Sequence, residues 1–333
     1  MVDDHLVATE RADIAEGTGE AGLGRRLLAE FVGTLLFVAV GTGAATVLAL
    51  GPLKVLQGLS DILPPGDPTA QRQFGALIGN NPGDLLMVAF AFATSLAVLV
   101  YAFGGVSGAH FNPAVTFALA VSRRFRWRDV VPYWVVQCLG AIAGAFVVAG
   151  IYGKTGAHLG GTDILFGATT VATETIYQAI LAEAFIAFVL MTAIMGIAVD
   201  HRAPKGWSGL VIGFGLAGGI LVTASATGGS ANFARSLGPF VASLVIHPDS
   251  PALNIPWSDL IVYAAGPLIG ASAAALVYES VTGLELASPA PSPGAATGEH
   301  EGQHLEEAVT LDAATSDPGL SSGRDPEPPA PRL

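Results

Sequence analysis

Ser107-Gly-Ala-His-Phe-Asn-Pro-Ala114 and Gly228-Gly-Ser-Ala-Asn-Phe-Ala-Arg235 place two asparagines, Asn112 and Asn232, 120 positions apart. Each asparagine precedes a short apolar stretch in a chain that otherwise reads as membrane-spanning helices. Asn caps helix N-termini well, because its side-chain oxygen accepts from a backbone N–H of the first turn. Asn112 and Asn232 are therefore expected to start two helices too short to cross a bilayer, with the positive ends of both dipoles near mid-membrane. That points to a path for neutral molecules, since fixed positive potential there opposes cations.

Composition agrees. Of 333 residues, 51% are apolar and 13% charged, the mean hydropathy is +0.57, and a soluble domain carries roughly 25% charged residues. The net charge of −12 lies wholly in the ends: residues 1–24 hold six acids and one Arg, and residues 281–333 hold nine acids and two Arg. Residues 25–280 balance at zero, so the acidity says nothing about the core. Cys138, the single cysteine, rules out an internal disulfide and reads as a buried, inert thiol. The acidic N-terminus lacks the pattern of a removable signal peptide.

A span needs about 20 mostly apolar residues. Six stretches qualify: 27–50, 85–103, 130–153, 176–199, 207–226 and 260–278. Two shorter ones, 111–121 and 232–246, fall after the second and fifth. The order long, long, short, long therefore occurs twice, about 25–153 and 175–280. Three spans per half is odd, so the second half must enter the membrane from the opposite side, which makes an inverted repeat. Ala29-Glu30-Phe31 recurs as Ala182-Glu183-Ala184-Phe185, and Gly140 with Gly144 recurs as Gly266 with Gly270. The fold class is an all-α membrane protein of six transmembrane helices plus two half-helices.

The stretch 51–84 is rich in Pro and Gly and reads as an external loop with a short amphipathic piece. Cytoplasmic termini put Arg25, Arg26, Arg123, Arg124, Arg126, Arg128, Arg202 and Lys205 inside and leave Lys54, Arg72 and Lys154 outside, as the positive-inside rule requires. Residues 1–24 and 281–333 read as disordered acidic cytoplasmic tails. Unwound stretches are expected at 104–111 and 227–231, tolerated at membrane depth because they line a wet cavity.

With these features together, the chain resembles the aquaporin, or major intrinsic protein, family over about residues 25–280. The resemblance implies a right-handed bundle, one pore per protomer and a homotetramer in the cell (plasma or inner) membrane. It implies a pore centre of Asn112, Pro113, Ala114, Asn232, Phe233 and Ala234, the last three departing from the usual Asn-Pro-Ala. Pro suits the first helical position, and Phe233 there should contact Pro113 differently. Counting from the family's motifs, the outer filter is Phe92, Ile220, Gly229 and Arg235. Arg at membrane depth usually marks a permeation path. Ile220 and Gly229 imply a filter wider and less polar than in narrow water-selective members, admitting small neutral solutes such as ammonia, urea or glycerol. Ser236 and Tyr263 fit the water-channel subgroup better than the glycerol facilitators, and Ala264 fits neither.

Glu30 and Glu183 admit two readings. As intramembrane carboxylates they could relay protons, which would make the chain a proton-coupled secondary transporter. As symmetric supports, they would accept hydrogen bonds from the loops carrying the asparagines, the role the family's matching Glu plays. A third reading is a membrane scaffold with a closed pore. His110 reads as a loop-fixing partner rather than a ligand, and His201 as a solvated loop residue. Gly213-Phe-Gly215-Leu-Ala-Gly218 mimics a dinucleotide fingerprint, but no strand precedes it and its small residues suit helix packing. The expectation is a passive channel for water and small neutral solutes that excludes protons and ions, has no enzyme activity, metal or organic cofactor, and has the lipid bilayer and no nucleic acid as partner.

Overall fold

Six helices in the computed structural model are long and apolar enough to cross a membrane. The structure describes residues 21–60, 82–159, 162–246 and 255–284, with the side chains of 52–60, 82 and 162 left aside. In chain order the helices are α1 (Leu23–Ser60), α2 (Pro82–Ser107), α3 (Pro113–Val121), α4 (Trp127–Tyr152), α5 (Ile176–Ile194), α6 (Ser208–Thr227), α7 (Phe233–Ile246) and α8 (Leu260–Thr282). A π-helical turn, Met195–Val199, extends α5. With 9 and 14 residues, α3 and α7 fall short of a span.

One boundary differs from the sequence reading. The sequence ends the first span at Leu50 and assigns 51–84 to a loop with a short amphipathic piece, whereas α1 continues through Pro52 to Ser60. Leu and Gln after Pro52 favour helix, and a single proline removes only one N–H from the ladder. The rest of that connection, 61–81, and most of both tails lie outside the described residues.

Within each repeat the first helix packs on the fourth: α1 on α4 and α5 on α8. Across the repeats α2 packs on α6, and each half-helix packs on the other repeat's fourth helix, α7 on α4 and α3 on α8. Small residues permit these approaches. A Cβ on Gly140 would strike the Phe31 carbonyl, and one on Gly270 would strike the Ala184 carbonyl. Phe31 follows Glu30 and Ala184 follows Glu183, so Gly140 corresponds to Gly270. The sequence matched Gly140 to Gly266 instead, one helical turn away, because a Gly-x-x-x-Gly pattern overlaps itself when shifted by four. In the observed register Asp129 pairs with Asp259 and Tyr133 with Tyr263.

Charged side chains gather several connections at one end of the bundle. Arg26 bonds Asp129 at 3.1 Å, Arg124 pairs with Glu279, and Arg202 donates to the Thr282 carbonyl at 3.2 Å. The start of α1, the α3–α4 and α5–α6 connections and the end of α8 therefore share a face. Asp200 accepts from Arg202 at 2.5 and 2.8 Å, and this guanidinium holds its carboxyl well below the usual carboxylate range. At the opposite end, between α4 and α5, β1 (His158–Leu159) pairs antiparallel with β2 (Thr162–Asp163). A tight 3₁₀ turn, Leu165–Gly167, follows the hairpin.

Candidate pore and filter

Both asparagines follow a short break in a helix. α2 stays helical through Ser107 and α6 through Thr227, so the unwound stretches are 108–112 and 228–232. The first is shorter than the sequence suggested, because Gly104 and Gly105 remain within α2. Ala109, Phe111 and Ala231 hold positive φ of 51°, 48° and 54°. Side-chain-bearing residues enter that region only when neighbours impose it.

The imposing groups are the two glutamates. Glu30 Oε1 accepts from the Ser107 hydroxyl at 2.7 Å and the His110 N–H at 2.9 Å, while Oε2 accepts from the Phe111 N–H at 2.7 Å and the Gln137 amide at 2.8 Å. Glu183 Oε1 accepts from the Thr227 hydroxyl at 2.6 Å and the Ser230 N–H at 2.9 Å, and Oε2 from the Ala231 N–H at 2.7 Å. Both carboxylates are fully buried, and their lone pairs meet loop donors that would otherwise be orphaned. His110 joins this scaffold: its ring Nδ1 lies 3.1 Å from the Thr116 hydroxyl, and the ring stacks edgewise on Phe125.

At the centre the two asparagines bond each other's loops. Asn112 Nδ2 donates to the Ala231 carbonyl and Asn232 Nδ2 to the Phe111 carbonyl, both at 2.8 Å. Asn112 Oδ1 caps α3 by accepting the Ala114 N–H at 2.9 Å. Asn232 Oδ1 accepts the Arg235 N–H at 3.3 Å. Each NH₂ has two hydrogens, so one per asparagine is left over. Both side chains border a cavity of about 400 Å³ that runs past His110, Gly104 and Leu216 toward Tyr101 and Gly206.

Phe92, Ile220, Gly229 and Arg235, the positions expected to form the filter, do not border that cavity, which is lined by Leu96 and Leu216, one turn along α2 and α6 from Phe92 and Ile220. Arg235 is 3% exposed, and its guanidinium carbon sits 4.8 Å from the Phe92 ring centroid. Its Nη1 donates to the Gly167 carbonyl at 3.2 Å. Gly167, at φ 69°, lies so close to Thr42 of α1 that a Cβ would strike the Thr42 carbonyl. Gly229, at φ 61°, lies against α6, where a Cβ would come 3.2 Å from Ile220 Cα. The structure thus brings Arg235 to Phe92 and Gly229 to Ile220.

Phe233 and Pro113 do not border the large cavity. They line a separate apolar crevice with Ala114, Trp134, Cys138, Tyr263, Ala264 and Leu268. Trp134 donates its indole N–H to the Pro113 carbonyl at 2.9 Å. Ala234 is fully buried in the core.

Sequence reading missed the links behind these groups. Ser107 and Thr227 end α2 and α6, and Tyr133 and Tyr263 donate to their carbonyls at 2.9 and 2.8 Å. The corrected repeat register would have exposed this equivalence. Ser230 and Ser236 share a 2.7 Å contact, and Ser236 also meets Thr169 at 2.7 Å, a link no spacing announces.

Comparison with known proteins places these features. Residues 19–278 match the family described as Major intrinsic protein. A protein of Methanothermobacter thermautotrophicus named aquaporin AqpM is 40% identical over 263 residues, covering 78% of this chain and 98% of that one. A Lactiplantibacillus plantarum protein named glycerol uptake facilitator protein-like 6 is 33% identical over 251 residues, covering 75% and 95%. The fold matches the solved aquaglyceroporin of Plasmodium falciparum with a TM-score of 0.61 at 20% identity, over 78% of this chain and 97% of that one.

Proposed function

The chain belongs to the major intrinsic protein family, whose members are membrane channels and not enzymes, and on that premise we propose that it passes water and small neutral solutes while holding back protons and ions. The observation that carries the reading is the asparagine pair. Each amide spends its oxygen on a cap and one hydrogen on the opposite loop, and its second hydrogen is available to a passing oxygen. Water in the channel loses most of its partners and regains them from such donors and from loop carbonyls. Two helix N-termini at the same depth add positive potential, and Arg235 adds a full charge, so cations and hydronium meet a barrier.

Phe92, Ile220, Gly229 and Arg235 form the filter in this reading. An isoleucine and a glycine leave it wide and weakly polar on one wall, which supports passage of ammonia, urea or glycerol beside water. The names of the relatives from Methanothermobacter and Lactiplantibacillus, an aquaporin and a glycerol uptake facilitator-like protein, support water and glycerol among these. Glu30 and Glu183 serve as loop supports. A proton-coupled carrier would need one of them free to exchange protons, whereas every oxygen of both is engaged by loop or helix donors.

Residues 25–280 form the channel domain, flanked by acidic tails. The end of the bundle that gathers Arg26, Arg124 and Arg202 faces the cytoplasm, and the assembly is a homotetramer in the cell membrane. Stopped-flow light scattering on proteoliposomes tests the function: an osmotic step should collapse protein-bearing vesicles faster than empty ones, with urea or glycerol entry also accelerated. Equal rates for all solutes with and without protein would refute it.

A further inference from the structure

The crevice that holds Phe233 is the feature the channel reading does not use. It has a volume of about 210 Å³ and is walled on one side by Trp134 and Cys138 of α4, on the other by Ala264 and Leu268 of α8. Pro113 and Phe233, the first residues of the two half-helices, form its floor. It therefore lies at the depth where α3 and α7 meet, the middle of the spans.

Its chemistry excludes water as an occupant. The strong donors in its lining are already committed: the Trp134 indole N–H to the Pro113 carbonyl, and the Tyr263 O–H to the Thr227 carbonyl at 2.8 Å. A water molecule there would lack the two to four polar partners that hold a buried water, and apolar cavities of this kind stay dry. The two helices that wall it also carry large exposed apolar side chains. Val135 and Leu139 on α4 are 52% exposed, and Ile261 and Ile269 on α8 are 62% and 58% exposed. In a six-span membrane protein, apolar surface of this kind meets hydrocarbon wherever another subunit does not cover it.

We propose that an acyl tail of a membrane lipid enters this crevice and rests its terminal segment against Phe233 and Pro113. The depth selects the end of the tail, because a headgroup lies roughly 15 Å away, half the thickness of the hydrocarbon core. The two sides of the crevice are related by the repeat, Trp134 to Ala264 and Cys138 to Leu268. The small Ala264 leaves the opening beside Phe233 that a second tryptophan would close. Bilayer hydrocarbon would then touch the residues that begin both half-helices, directly next to the asparagine caps.

The proposal depends on the membrane topology and not on what the channel conducts, so its failure would leave the proposed permeation intact. Trp134 provides the reporter. In the full chain carrying Trp127→Phe, Trp207→Phe and Trp257→Phe, reconstituted in phosphatidylcholine vesicles, bromine atoms near the tail end should quench Trp134 more strongly than bromines near the headgroup. Ala264→Phe, which fills the crevice, should roughly halve that quenching, since only the outer ring edge then remains within contact distance of hydrocarbon. If this variant fails to reconstitute, Cys138→Phe fills the same space from the opposite wall. Quenching that is absent, strongest for headgroup-proximal bromines, or indifferent to filling the crevice would overturn the proposal. The first outcome would mean that protein, such as a second copy of this chain, covers the opening.

Discussion

Replacing Glu183 by Gln keeps the shape of the side chain and removes an acceptor. Three donors converge on the carboxylate, two on Oε1 and the Ala231 N–H alone on Oε2. The new NH₂ costs least at the Oε2 position, where it faces the Ala231 N–H and leaves that donor unpaired in a dry interior. Such an orphan costs about 1–3 kcal/mol. The two surviving bonds weaken as they become neutral, and the relief of no longer burying a charge offsets that loss. A net loss of about 1–3 kcal/mol corresponds to a melting point lower by roughly 2–10 °C. Ala231 also presents the carbonyl that holds the Asn112 amide, so permeability per channel should fall with stability. Glu30→Gln should lose a similar amount despite its four partners, because Gln137 Oε1 has none and can turn to accept from the new amide. Glu30→Gln with Gln137→Leu forfeits that relief and should melt lower than either single change. Melting in detergent and stopped-flow permeability on the same preparations check the series. If Glu183→Gln melted with the wild type yet abolished a flux driven by a proton gradient, the carboxylate would be a proton site and the support argument would fail.

Arg235→Ala removes the cation stacked on Phe92 and widens the constriction; glycerol and urea entry should rise severalfold relative to water, and an unchanged ratio would show the filter to be misassigned. Gly229→Cys forces a side chain to φ 61°, 3.1 Å from the Thr223 hydroxyl, a strain of about 1–2 kcal/mol. Water flow through that variant should be blocked by mercurials, while the wild type, whose Cys138 borders the lateral crevice and not the large cavity, should be indifferent. Asp200→Asn breaks the pair with Arg202. Because the folded carboxyl titrates below its unfolded value of about 3.9, its stabilisation is complete above that value and disappears as pH falls through the folded one. The gap in melting temperature between Asp200→Asn and wild type should be constant from about pH 5 to 8 and close only in strong acid.

The spans, their doubling and the opposed half-helices were legible because hydrophobic length and N-capping are local properties. Glu30 and Glu183 were visible for the same reason, as isolated charges in apolar runs. Less could be read where the answer depends on which atoms meet. The extension of α1 past Pro52 ran against the Pro/Gly count, which reports average propensity and not the fate of one proline. The helix register between repeats was misread by one turn, since glycine spacing alone cannot distinguish equivalent positions; the carbonyls of Phe31 and Ala184 do. The reciprocal bonds of the asparagines could not be foreseen either. One hydrogen of each amide ties the two loops together, a pairing that depends on how the half-helices meet and not on local sequence.

Where the repeats depart from symmetry, the departures occur in matched sets. Gln137 in the first repeat supplies a fourth donor to Glu30, and its equivalent in the second, Pro267, can supply none, so Glu183 has three. Trp134 stands over Pro113, and its equivalent Ala264 leaves room for Phe233, so each large ring at the crevice faces a small counterpart. The caps differ as well: Asn112 accepts from the second helical residue at 2.9 Å and Asn232 from the third at 3.3 Å, as expected if proline and phenylalanine start the two half-helices differently. Through all three differences the Nδ2-to-carbonyl bonds stay equal at 2.8 Å. The positions of the two amide donors are thus insulated from the unequal packing behind them, because each is set by the opposite loop and that loop by its buried glutamate. A substitution in the crevice should therefore reach the pore only by moving a loop backbone, and the glutamates are the groups that resist such movement.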